Sequence, residues 1–202
     1  DLMRALSGIG EAEEALAIHA KYAGETAPSQ EYVDALKKTR HYQAAADAAF
    51  ALWHKTQDMT FLRTSLDALS RYDLPGALAA YASHTDDSTD CLLLFDYILL
   101  LKSNGDVARA SEVTGRLLAI APHDPIYRLV ECDLLTAAGN GAKALARYEA
   151  LVKDELAAKN DMDTLGLIIG KYRDYLNNHV PADEAARRFL DLVSRDMNVV
   201  SL

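Results

Sequence analysis

The chain has 202 residues, of which half are hydrophobic and a quarter are charged, so its composition excludes a disordered protein and fits one folded domain or an elongated array. The formal net charge of -9 argues against nucleic acid and anionic lipid as partners, because both attract an excess of lysine and arginine. No run reaches the roughly 18 apolar residues of a membrane span, so direct membrane insertion is not expected.

Short helices that come in pairs are predicted along the whole chain. One helix of each pair carries a small residue, then a large residue four positions later and an apolar or aromatic residue seven positions later. These positions share one face of an α-helix, so the pattern predicts one packed face per unit. The pattern starts at Ala15, Ala46, Ala77, Ala110, Ala144 and Ala185. Successive alanines are 31, 31, 33, 34 and 41 residues apart, which leaves room for one further helix between them.

The further helices precede the marked ones, and turn-forming residues separate the two. The predicted first helices are 29–39, 59–71, 89–103, 124–137 and 162–178. The turns are SRYDLPGA (70–77), KSNGD (102–106), AAGNGA (137–142) and NNHVPAD (177–183). An aspartate before a helix accepts hydrogen bonds from its first free N–H groups. We therefore predict N-caps at Asp73, Asp106 and Asp183, while Asp124-Pro125 opens another unit.

These second helices resemble the tetratricopeptide repeat family, whose second helix carries A-x3-F before a closing proline. The matching residues are Ala46/Phe50, Ala77/Tyr81, Ala144/Tyr148 and Pro122. The resemblance implies an all-α fold, a right-handed α-solenoid of about six stacked helix pairs, with first helices lining a concave surface. The units are expected at about 1–28, 29–58, 59–88, 89–122, 123–157 and 162–196.

The chain departs from the family pattern in two ways. The first helices lack the family's tryptophan, and its glycine is replaced by Ser65, Ile98 or Cys132. The last alanine spacing is also long, because KDELAAKND (153–161) adds residues. A Sel1-like or otherwise divergent helical-hairpin array therefore stays open.

No catalytic or cofactor motif competes with a scaffold function, so neither a cofactor nor a bound metal is expected. The six histidines show none of the common metal-ligand spacings. His54 and Asp58 are four residues apart, but a solvated helix end explains them better than a chelate site. Several aromatic and histidine side chains fall at repeat-core positions and are interpreted as packing residues: His19, Trp53, Tyr81, His84, Tyr148 and Tyr172.

The segment CLLLFDYILLL (91–101) is apolar almost all the way round its predicted helix. Burial between neighbouring helices is one explanation. The other is an exposed apolar groove on the concave surface, since an amphipathic helix normally keeps one polar stripe. The repeat geometry that the resemblance implies places seven residues in that groove: Leu62, Leu66, Leu92, Phe95, Leu99, Leu129 and Asp133.

The resemblance implies a non-catalytic scaffold that binds a peptide, helix or domain of another protein in this groove. An alternative from the same family analogy is a periplasmic scaffold in a bacterial polysaccharide-export or envelope-assembly machine. Both a cytoplasmic and a periplasmic location stay open. Because DLMRALS (1–7) is too short for a first helix and MNVVSL (197–202) is apolar, we expect the array to continue in both directions and its ends to favour self-association.

The two cysteines are expected to be free thiols. Cys91 and Cys132 lie in neighbouring first helices and are seven residues out of register in a 34-residue period. Their axial offset would be about 10 Å between helices about 8–10 Å apart, whereas a disulfide needs Cα atoms within about 7 Å. Cys132 is expected to be buried and Cys91 to lie near a helix start.

Overall fold

The computed structural model describes residues 28–158 and 161–197, with side chains up to residue 192. These residues form ten α-helices and no strands. The helices are α1 (Gln30–Lys38), α2 (Tyr42–Thr56), α3 (Met59–Ser70), α4 (Leu74–Thr85), α5 (Cys91–Ser103), α6 (Val107–Ile120), α7 (Pro125–Ala137), α8 (Gly141–Ala158), α9 (Met162–His179) and α10 (Ala182–Met197). The first expected pair, with Ala15 and His19, lies outside the described residues, as does nearly all of the tail 197–202.

Aspartate side chains cap four of the five described first helices and two second helices, as local chemistry predicts. Asp73 accepts a hydrogen bond from the Gly76 N–H at 3.0 Å, and Asp106 accepts one from the Arg109 N–H at 3.1 Å. Asp124 accepts from two N–H groups at the start of α7. These caps satisfy donors that have no partner inside the helix.

The cap predicted at Asp183 was wrong. Helix α10 begins one residue earlier, at Ala182, and the carbonyl of Pro181 accepts the bond from the Ala185 N–H at 2.8 Å. Asp183 is therefore inside the first turn. A carboxylate still suits that place, because the helix dipole is positive there.

Three of the turns between paired helices close with the same backbone hydrogen bonds. Gly105 and Gly139 adopt positive φ angles of 81° and 74°, which cost glycine little because it has no Cβ. The following residue then donates to a carbonyl five positions back, from Asp106 to Leu101 and from Asn140 to Leu135. The turn after α1 uses the same arrangement with Arg40 at a φ of 62°. Each turn reverses the chain sharply enough for its helices to pack.

The chain divides into two compact units, Asp1–Tyr97 and Ile98–Leu202. In the described part of the first unit, α1 packs against α2, α2 against α3 and α3 against α4. The α2–α3 contact is the most extensive of these and includes a buried hydrogen bond from the Ser65 hydroxyl to the Ala46 carbonyl at 2.9 Å. Alanines dominate the core between α1 and α3, with Val33, Leu36 and Leu52 filling the remaining volume.

In the second unit, α6, α7, α8, α9 and α10 also pack in chain order. Here helices two apart touch as well, α7 with α9 and α8 with α10. Such contacts are typical of stacked helix pairs, where each pair covers the apolar face of its neighbour. The core runs from Leu129 through Tyr148 and Tyr172 to Ala185.

The alanines that define the repeat are buried, as predicted. Ala77, Ala110 and Ala144 are fully buried, and Ala46 and Ala185 nearly so. The large residue four positions later is also buried at Tyr81 and Tyr148. The long final spacing is absorbed by helix length, because α8 and α9 have 18 residues each.

Two of the three predicted core positions in α2 were wrong, although Ala46 is buried. Phe50 is 37% exposed and Trp53 is half-buried. The buried stripe of this helix consists instead of Ala45, Ala49 and Leu52 with their alanine neighbours. This stripe follows i, i+4 and i+7 one residue earlier than expected, which turns the phenylalanine toward the surface.

Both cysteines are free in the structure. Cys132 is buried in α7, while Cys91 is partly exposed at the first residue of α5. Burial, followed by the charges of Glu131 and Asp133, raises the pKa of the Cys132 thiol to about 12. The positions predicted for the two thiols are confirmed.

We expect Ala144→Leu to lower the free energy of unfolding by roughly 1–3 kcal/mol, because a larger side chain overpacks the fully buried site. Chemical denaturation followed by circular dichroism measures the change. The matched control is Ala146→Leu in the same helix, where the alanine is exposed and a change within about 0.5 kcal/mol is expected. Equal effects of the two substitutions would contradict the packing described here.

Alkylation of the native chain at pH 8 should modify Cys91 and spare Cys132. The thiolate is the reactive form, and Cys132 is both buried and held in its thiol form by a pKa of about 12. Mass spectrometry after short exposure to iodoacetamide should find one label per chain, and two after unfolding without reductant. Rapid double labelling of the native chain would show that Cys132 is open to solvent.

Candidate functional site

Helix α5 starts at a short capped turn that fixes where its side chains point. The Asp90 carboxylate accepts from the Leu93 N–H at 2.8 Å, and the Ser88 hydroxyl accepts from the Asp90 N–H at 3.1 Å. With the helix set in this way, Leu93, Leu94 and Tyr97 are buried. Most of the apolar character of the segment is therefore explained by packing.

One face of α5 nevertheless stays open. Leu92 is 51% exposed, and Leu99, seven residues further along the same helix, is 42% exposed. Phe95 lies between them in sequence and is half-buried. Residues three, four and seven apart share one helix face, so α5 carries an apolar stripe opposite its buried side. We name Leu92 and Phe95 the open face of the first unit.

Two contacts hold the open face in place against the rest of the first unit. The Arg63 Nε on α3 donates to the Asp96 carboxylate on α5 at 2.6 Å, and this bond raises the pKa of the guanidinium. The rings of Tyr81 and Tyr97 stack with centroids 5.5 Å apart and planes 4° apart, and burial raises the pKa of the Tyr81 hydroxyl. The stripe therefore sits on an anchored helix.

Leu62 and Leu66 do not take part in an open surface, and their predicted exposure was wrong. Both are almost fully buried in α3. Their helix also buries Ser65, whose hydroxyl bonds to Ala46 in α2, so this face of α3 is turned into the core. Exposure was expected because the first helices of tetratricopeptide repeats line a concave surface. Each such helix, however, turns only part of its circumference toward that surface.

The second unit contains the remaining two predicted groove residues. Leu129 is buried, so its predicted exposure was wrong as well. Asp133 is partly exposed, and its carboxylate has two internal partners. It accepts from Lys102 Nζ at 2.7 Å and from the Tyr148 hydroxyl at 2.9 Å. Burial and the charge of Asp133 raise the pKa of Tyr148, which keeps the phenol protonated as a donor.

The structure also shows an aromatic surface that sequence reasoning missed. Phe50 and Trp53 of α2 have ring centroids 5.2 Å apart, and the two imidazoles of His54 and His84 contact both rings. The sequence did contain a signal for this exposure. The alanines of α2 are enough to form its buried face, so Phe50 could have been expected outside the core. These rings form a surface cluster in the first unit and face no cavity among those the structure shows.

The described residues contain no group of three or more histidine, cysteine or acidic side chains arranged to hold a metal ion. Among the helices that they form, none has the length and apolar character to cross a membrane. The hydrogen bonds and ion pairs of Arg63, Asp133 and Tyr148 described above join helices to one another and do not converge on a cavity.

No protein-family model matches the chain, and a search of curated proteins found no significant match.

We expect Tyr148→Phe to lower the free energy of unfolding by about 0.5–1.5 kcal/mol, because it deletes the hydrogen bond to Asp133 and keeps the ring. Thermal and urea denaturation measure the change. Tyr72→Phe, at an exposed tyrosine of the first unit, is the control and should leave stability within about 0.5 kcal/mol. An unchanged stability in Tyr148→Phe would show that the Asp133 contact contributes nothing.

Proposed function

We propose that the protein is a tetratricopeptide-like array, a right-handed solenoid of helix pairs that acts as a non-catalytic scaffold for another protein. The support is the alanine spacing of 31–34 residues through most of the chain together with the burial of these alanines. Helices that pack against the next one in chain order add to it. Arrays of this kind expose long surfaces, which suit extended or helical partners.

The observation that carries the binding function is the exposure of Leu92 beside Phe95. More than half of the Leu92 side chain is in water, although the helix that bears it is anchored on its other sides. Covering a large aliphatic side chain completely is worth about 1.5–3 kcal/mol, so covering half of it contributes about 1 kcal/mol. A partner that covers the open face gains this energy without rearranging the helix.

The partner is proposed to be a peptide or helix with apolar side chains on one face. Asp96, one turn from Leu92 on α5, already pairs with Arg63 of α3. Because these two charges offset each other, apolar contact is proposed as the main attraction between the partner and the open face. A nucleic-acid partner is disfavoured by the formal charge of -9, since such partners need clusters of unpaired cations.

The test is a peptide-display selection against the full chain, followed by measurement of the dissociation constant for the recovered peptides. Leu92→Asp should weaken their binding by about tenfold or more, since a carboxylate covered by apolar side chains loses its hydration. The expected effect on stability is small because the position is exposed. Leu167→Asp, at an exposed leucine of α9, is the matched control and should bind as the parent chain does.

Binding that is equal in the two variants would exclude the open face as the binding surface. Failure to recover any specific peptide would count against the scaffold function itself. Denaturation of each variant by urea separates these outcomes from a loss of folding.

A further inference from the structure

The outward side of α9, in the second unit, carries a leucine between two opposite charges. The buried side of this helix includes Ile168 and Tyr172. On the other side, Leu167 is 47% exposed in the middle of the helix, and Asp163 and Lys171 are exposed as well. Residues at i, i+4 and i+8 share one helix face. Asp163, Leu167 and Lys171 therefore form a single row, which we name the outer row of α9.

The two charges of the outer row are not neutralised by ion pairs in the second unit. In the part of the chain that the structure describes, no oppositely charged group lies within ion-pair distance of the Asp163 carboxylate or the Lys171 ammonium. The two residues are eight positions apart, which separates them by about 12 Å along the helix. They are therefore too far apart to pair with each other.

The order of these groups makes the outer row complementary to a second copy of itself. When two copies of α9 lie antiparallel about Leu167, residues at equal distances from Leu167 meet across the contact. Asp163 lies four residues before Leu167 and Lys171 four residues after it. Each aspartate then faces the lysine of the other copy, and the two leucines meet at the two-fold axis. A two-fold contact uses the same patch on both copies and needs this self-complementarity.

Two glycines beside the row leave room for the second helix. A Cβ added at Gly166 or Gly170 would meet nothing within 4 Å in the described part of the protein beyond its own turn of helix. Packing inside the chain therefore does not require glycine at either position, although glycine is unfavourable in a helix interior. Because glycine has no side chain, the Leu167 side chain of a second copy can approach the α9 backbone closely there.

We infer that the protein forms a two-fold dimer in which α9 of one copy packs antiparallel on α9 of the other through their outer rows. The two reciprocal charge pairs set the register, and the leucines supply the apolar contact. Stable interfaces bury about 1,200–2,000 Å², and a contact between single helices is at the small end of this range. The dimer is therefore weak and reversible. It involves the second unit and does not rest on the function proposed for the open face.

Sedimentation equilibrium of the full chain, over concentrations from about 1 to 300 µM, measures the dissociation constant of the dimer. Asp163→Lys and Lys171→Asp each place like charges opposite each other at two points of the contact. Each variant alone should weaken self-association by about tenfold or more. An equimolar mixture of the two variants restores opposite charges at both points, so it should associate as the parent chain does.

The matched control is Asp174→Lys, which makes the same charge change at an exposed position of α9 beyond the outer row. It should leave the dissociation constant within about threefold of the parent value. Gly170→Leu fills the space beside Leu167 and should weaken the dimer by about tenfold. Its monomer should resist urea at least as well as the parent chain does, because leucine favours the helix more than glycine.

A parent chain that stays monomeric over the whole range overturns the inference and leaves the outer row to a different protein. Single variants that associate as the parent does would place the dimer contact elsewhere and overturn it as well. So would a mixture of the two charge variants that fails to associate. Urea denaturation of each variant, followed by circular dichroism, separates a lost contact from a lost fold.

Discussion

Close contact at buried alanines is the constraint on which the packing of this protein depends. An alanine at the first position of the repeat stripe lets two helix backbones approach, and a larger side chain there would force them apart. Ala144 shows the consequence, since the neighbouring large residues Tyr148 and Leu151 reach the next helix and are buried with it.

Ion pairs between successive first helices complement this apolar packing. Lys37 of α1 bonds to Asp67 of α3 at 2.8 Å, and Arg63 of α3 bonds to Asp96 of α5 at 2.6 Å. In the second unit, Lys102 of α5 pairs with Asp133 of α7. The partners are 30–33 residues apart, close to the alanine spacing. Exposed pairs add less than about 1 kcal/mol each, so their main effect is on the register between helices.

The surface proposed for binding consists of side chains on α5 that no neighbouring helix covers. On α5 the buried side is complete and Leu92 remains open. This surface is apolar, and Asp96 on the same helix pairs with Arg63 of α3. The exposed Leu92 supports the proposed scaffold, whose partner would present an apolar helix or peptide face.

The sequence by itself determined the helices, three of their caps (Asp73, Asp106 and Asp124) and the spacing of the packed alanines. These depend on interactions between residues a few positions apart, such as Asp73 with the Gly76 N–H. The predicted first helices agree with the observed ones to within two residues at each end, for the same reason. The tertiary structure alone decided which apolar residues are covered. Leu62 and Leu92 look equivalent in sequence, but one faces neighbouring helices and the other faces water. Phe50 became exposed because the stripe of α2 is rotated by one residue from the expected one. Exposure depends on which helix, distant in sequence, packs on a given face. The pattern of residues within one helix does not determine that.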